Sequence, residues 1–105
     1  MNIEKIINEI KQFNSDRDWY KFHTPENLVK SISIEAGELL ELYQWSDDVD
    51  IYKVGQEVAD ILIYIFNLCD KYQLNIQQII EMKMEINKVK YPVGKFKGNC
   101  KKYNE

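Results

Sequence analysis

The chain has 105 residues, 45% of them hydrophobic and 30% charged, with four glycines and two prolines, which excludes disordered and fibrous classes. A formal charge of -3 gives no reason to expect binding through a basic surface, so no nucleic-acid partner is expected. The length suits a single domain, 1–105, with a core of about 1–92 and a tail of 93–105, small enough that part of its apolar surface is expected to be buried against other copies of itself.

Ile3, Ile6, Ile7, Ile10 and Phe13 are spaced for one face of a first helix, which the cluster Asn14-Ser15-Asp16 should stop. Met1 to Asn14 mixes charge and apolar residues with helical period and does not resemble a signal peptide, so a cytoplasmic protein is expected. A connector from Ser15 to Thr24 carries Arg17, Trp19, Phe22 and His23. Within it the adjacent Arg17 and Asp18 are expected to pair at the surface. At Thr24-Pro25-Glu26 a second helix begins, with Thr24 as N-cap and Pro25 at the first helical position, and it is expected to run to about Trp45.

Ser46-Asp47-Asp48 marks the end of that helix and, with Asp50, the approach to a third, about Ile51 to Tyr72. Apolar residues cover almost its whole circumference, which predicts a central helix. Its longest nearly unbroken apolar run, Ile61 to Cys69, contains Asn67 and is far below the roughly 20 residues of a membrane span, so no membrane partner is expected. Gln73-Leu74-Asn75 turns the chain, and Asn75 caps a fourth helix from Ile76 to about Lys90, ended by Tyr91-Pro92. The remaining tail has no periodicity and reads as loop. Cys69 and Cys100 lack CxxC spacing and read as a buried thiol and a tail thiol. Helices joined by short links, with no β-alternation, predict an all-α fold, a helical bundle.

Two acidic clusters interrupt this pattern: Glu35-Ala-Gly-Glu38 with Glu41 beyond it, and Glu57-Val-Ala-Asp60. At about 100° per residue, Glu35 falls inside the apolar arc of Leu28, Ile32, Leu39 and Leu42, and Glu57 inside that of Val54, Ile61, Tyr64 and Leu68. Ionised carboxylates in an apolar setting cost several kcal/mol or more without compensation. A hard divalent cation supplies it. Residues three apart share a helix face, so Glu35 with Glu38 and Glu57 with Asp60 form two carboxylate pairs that antiparallel helices could turn toward each other. An oxygen-only donor set suits Mg²⁺ or Mn²⁺ and argues against zinc. A di-iron bundle would want Glu-x-x-His on two helices, and the single His23 lies outside any such motif. Mg²⁺ commonly shares its coordination with substrate phosphates, which points to phosphoanhydride chemistry.

On the fourth helix Lys83, Asn87 and Lys90 fall at i, i+4 and i+7, on one face with Ile76 and Ile80. Taken alone, such lysines snorkel to solvent; beside paired carboxylates, phosphate binding is the better reading. Trp19, Phe22, His23 and Trp45 lie in or next to the connections, where a base could stack.

With these residues in place the sequence resembles the MazG-like nucleoside triphosphate pyrophosphohydrolases, and within them the small branch that includes the dCTP pyrophosphatases. The matching stretches, over roughly residues 10 to 92, are Phe13 to Trp19 with Phe22-His23-Thr24-Pro25, Glu35-x-x-Glu38-x-x-Glu41 leading to Gln44-Trp45, Glu57-x-x-Asp60 leading to Ile63-Tyr64, and Lys83-x-x-x-Asn87-x-x-Lys90-Tyr91-Pro92. The resemblance implies a four-helix bundle completed as a homodimer or homotetramer. It also implies Mg²⁺-dependent hydrolysis, with Mn²⁺ as a substitute, of a nucleoside triphosphate to monophosphate and pyrophosphate. Carried over, Glu35, Glu38, Glu57 and Asp60 are expected metal ligands, and Glu38, Glu41 and Lys83 are the candidate catalytic residues, with Glu38 activating water. Lys83, Asn87, Lys90 and Tyr91 match the phosphate and sugar side. Trp19, His23 and Trp45 match a base pocket, with a dCTP-like or modified pyrimidine nucleotide as the leading substrate. The alternative is a non-catalytic nucleotide-binding or regulatory bundle.

Overall fold

The computed structural model describes residues 2–101, and among them every regular element is helical. The elements are α1 (Ile3–Asp16), a 3-10 turn (Tyr20–Phe22), α2 (Pro25–Glu41), α3 (Ile51–Lys71), α4 (Ile76–Lys90) and α5 (Val93–Phe96). They fall into two compact units, one ending at Gln73 and one beginning at Leu74.

Each long helix begins where a side chain accepts an orphan backbone N–H of its first turn. Asn2 accepts from Lys5, Thr24 from Asn27, Asp50 from Tyr52 and Asn75 from Gln78; each such cap contributes about 1 kcal/mol. In the first unit α2 packs along α3, and α1 also packs against α3. The α1–α3 pairing is antiparallel: Lys11 meets Asp70 at 3.4 Å and, one turn on, Asn14 meets Asn67 at 2.9 Å, so the two numbers run in opposite directions. Leu28 of α2, 1% exposed, is the most deeply buried apolar side chain, and Cys69 of α3 is buried as well. Burial pushes the Cys69 thiol up from its ordinary value, which keeps it a protonated packing group.

The expected helix ends shift in three places. α1 continues through Asn14 to Asp16 because the Asn14 amide turns inward to Asn67 instead of capping. α2 ends at Glu41, and residues through Gln44 tighten into i to i+3 bonds, Tyr43 N–H to the Leu40 carbonyl and Gln44 N–H to that of Glu41. The chain then reverses at Trp45, whose φ is 67°. The tail is not all loop, since Pro92 opens the short α5, whose Phe96 sits edge-on to Tyr91 at 4.9 Å. Arg17 and Asp18 do not pair with each other. Asp18 meets Lys21 at 3.1 Å, while the Arg17 guanidinium lies 3.7 Å from the centre of the Phe13 ring.

α3 is central to the first unit, flanked by both other helices, yet Ile51, Tyr52, Val58, Leu62 and Ile63 remain exposed along it. Leu40 on α2 is 72% exposed. No helix among the described residues is long and apolar enough to cross a membrane.

Candidate metal and nucleotide site

Glu35 on α2 and Glu57 and Asp60 on α3 converge. Each offers a carboxylate oxygen, and the three oxygens lie within 4.8 Å of one another. The helical arithmetic explains the meeting: Glu57 and Asp60 stand three apart on one face of α3, and Glu35 occupies the stripe of α2 that packs on it. Glu35 and Glu57 are half-buried, whereas Asp60 is exposed. One oxygen of each glutamate, Oε2 in both, is fully withdrawn from solvent with no hydrogen-bond partner.

Two ionised carboxylates have no donor to give each other, so they gain a hydrogen bond only if one holds a proton. Burial, the close approach of the Glu38 and Glu57 carboxyl groups, and the negative charge of Glu38 and Asp60 push the Glu35 carboxyl up to about 7. The centre is therefore an electrostatic conflict that a proton relieves partly. A small divalent cation relieves it fully, because hard cations take carboxylate oxygens at about 2.0–2.6 Å and this donor set is oxygen throughout. The residues present thus fit Mg²⁺ or Mn²⁺.

Glu38 is exposed and stands outside the trio of converging oxygens, but is close enough to Glu35 to raise its pKa. Glu41, at the end of α2, is also exposed.

The connector gathers a second cluster in the same unit. Trp19 sits edge-on to Phe13 at 5.3 Å and to His23 at 6.5 Å, and Tyr20 to His23 at 6.2 Å. His23 is half-buried and its Nδ1 is buried without a partner. Burial, and secondarily the charge of Lys71, lower its pKa, so the ring is neutral at physiological pH. Trp45, by contrast, is 92% exposed, so the structure does not pack it against Trp19 and His23. Lys71, at the end of α3, escaped the sequence reading because nothing in its spacing marks it as a neighbour of His23.

In the second unit Lys83 is exposed on α4, while Asn87 and Lys90 are half-buried. The Asn87 carbonyl accepts the Tyr91 N–H at 2.8 Å, closing the helix where Tyr91 leaves it.

The sequence profile of the MazG-like family matches residues 30–105. The chain belongs to the MazG-like family. The match reaches beyond Pro92, where the motif resemblance ends, so the tail lies within the family's span. Among curated proteins, dCTP pyrophosphatase 1 of Mus musculus is 33% identical over 98% of this chain and 66% of its own length. That of Bos taurus is 34% identical over 98% of this chain and 67% of its own length. The chain thus spans about two-thirds of these relatives. Among solved structures, a pyrophosphatase from Archaeoglobus fulgidus superposes with a TM-score of 0.78 at 40% identity, covering 88% of this chain and 94% of the other. The fold is accordingly the all-α fold of the MazG-like group.

Proposed function

We propose that the chain is a nucleoside triphosphate pyrophosphatase that depends on Mg²⁺, with Mn²⁺ as a substitute, and acts on dCTP or a related or modified pyrimidine nucleotide. The observation that carries this reading is the convergence of Glu35, Glu57 and Asp60 with two carboxylate oxygens buried and unpartnered. A structural core gains nothing from that arrangement. The relatives named dCTP pyrophosphatase and pyrophosphatase support the reaction and the class of substrate.

Glu35, Glu57 and Asp60 would hold the ion, joined by Glu38 after a change of side-chain torsion. When bound, a divalent cation lowers the pKa of coordinated water and offsets charge on phosphate oxygens. Glu38, solvent-reachable beside that centre, orients the attacking water and takes its proton, with Glu41 reinforcing the local negative potential. Water oxygen bonds to phosphorus, the anhydride bond between the α and β phosphates breaks, and the electron pair leaves with pyrophosphate. Lys83 and Lys90 neutralise charge that develops on the phosphate oxygens, with Asn87 and Tyr91 on the sugar side. Trp19, His23 and Trp45 contact the base, the neutral His23 ring standing edge-on to Trp19. The exposed apolar residues of α2 and α3 support a homodimer or homotetramer.

A product-resolved assay tests the reading: with Mg²⁺ and a panel of canonical and modified triphosphates, the expected products are monophosphate and pyrophosphate, fastest with a pyrimidine deoxynucleotide. Orthophosphate as first product would overturn it. Tight nucleotide binding without turnover would identify a non-catalytic module instead.

A further inference from the structure

α1 touches α3 through few groups, and the most buried of them is polar. Asn14, 2% exposed, donates its Nδ2 to Oδ1 of Asn67 across 2.9 Å, and Asn67 is buried as well. These residues are 53 positions apart in sequence, so the bond fixes a tertiary register. Asn67 lies seven residues beyond Asp60, which is two turns or about 10 Å along α3, too far to contact an ion at the carboxylates.

The other end of Asn14 faces the connector. Its carbonyl accepts the Trp19 N–H at 3.0 Å, while the neighbouring Phe13 supports the Trp19 ring and its carbonyl accepts from Arg17 at 3.1 Å. The Tyr20 hydroxyl donates back to the Lys11 carbonyl at 3.4 Å, and Lys11 in turn holds Asp70 of α3. The connector is thereby tied to the last two turns of α1, and those turns are tied to α3 by one buried amide bond and one ion pair. A buried amide pair that replaces apolar contact acts on register more than on stability, because a shifted helix would leave both amides unsatisfied, whereas an apolar seam tolerates sliding.

We propose that Asn14 and Asn67 are a positioning pair for nucleotide recognition: by locking α1 in register on α3 they hold Trp19 and His23 in place to meet the base. The role rests on the base-site reading above. Both asparagines are buried and bonded to each other, so the pair governs recognition from behind the base site without taking part in the reaction.

The test uses the full chain with Asn14→Leu and Asn67→Ala together, which keeps the combined side-chain volume close to that of two asparagines and leaves no amide unpaired. Single Asn14→Ala, expected to be destabilised, serves as the folding control. The double variant is expected to retain wild-type helix content and thermal midpoint. Backbone hydrogen exchange in 17–23 should rise at least tenfold while exchange in α2 and in α3 around Glu57 stays the same. With the preferred triphosphate, KM should rise about fivefold to tenfold, discrimination among bases should narrow, and kcat should stay within twofold. Unchanged exchange in 17–23 overturns the proposal, as does faster exchange with unchanged KM and base discrimination. A wild-type protein that turns over no triphosphate would instead overturn the proposed function, and the exchange measurement would still decide whether the pair anchors the connector.

Discussion

Two polar clusters lie along α3, an amide pair that is buried and a carboxylate trio that is half-buried with Asp60 exposed, and they end differently. Asn67 meets an amide of opposite polarity, so its carbonyl oxygen is satisfied within the protein at 2.9 Å. Glu57 meets Glu35 and Asp60, groups of its own sign, and two oxygens are left with nothing to accept from. The first cluster is complete as folded and its work is to set geometry. The second is incomplete as folded and is finished only by something positively charged. Burial alone does not separate a structural polar group from a functional one; satisfaction does.

The sharpest way to break that contrast is Glu57→Gln. Its amide would donate to Glu35 and turn the unsatisfied cluster into a satisfied one. Turnover is expected to fall by roughly three orders of magnitude through loss of cation binding and charge stabilisation, while thermal stability without metal rises. A variant that keeps near-wild-type pyrophosphate release would remove the carboxylates from the chemistry. Next in size, Asn67→Ala leaves the buried Asn14 amide without its acceptor and should cost about 1–3 kcal/mol, read from denaturant midpoints; a neutral result would show that water replaces the lost partner.

Acidity sharpens the contrast further. The folded-state pKa of Glu35 is raised from 4.5 to about 7, so between those values the folded chain holds more proton than the unfolded one. Its contribution is present below pH 4.5 and lost as pH rises to about 7. In chelator, the stability difference between Glu35→Gln and wild type should therefore widen in favour of the variant from pH 5 to pH 8. Saturating Mg²⁺ should narrow it, because the cation takes the proton's place. A difference independent of pH would show that Glu35 titrates normally. Smallest is Trp45→Ala, for which the 92% exposure predicts a stability change within about 0.5 kcal/mol; a larger loss would reveal that the indole is packed in an oligomer.

Much of this was legible in the sequence because it is local. Thr24-Pro25, Asp50 and Asn75 announced helix starts through chemistry acting within three residues, and Glu35 and Glu57 betrayed themselves by standing in apolar arcs. What failed to read was tertiary or too short. Asn14 carries the same signal whether it stops a helix or is buried inside one, and its partner lies 53 residues away. α5, at four residues, is shorter than any period that could reveal it. Apolar spacing continues to Trp45, whereas α2 ends at Glu41 through tight turn bonds that spacing does not encode.

The positive φ of Trp45 has a thermodynamic reading. A residue with a Cβ in that region gives up about 1 kcal/mol relative to glycine, and here the side chain recovers nothing by packing within the protomer. Folding of an isolated subunit thus offers no reason for an indole at this bend. Burying the indole against the base, as proposed above, would offset that cost only in the nucleotide-bound state.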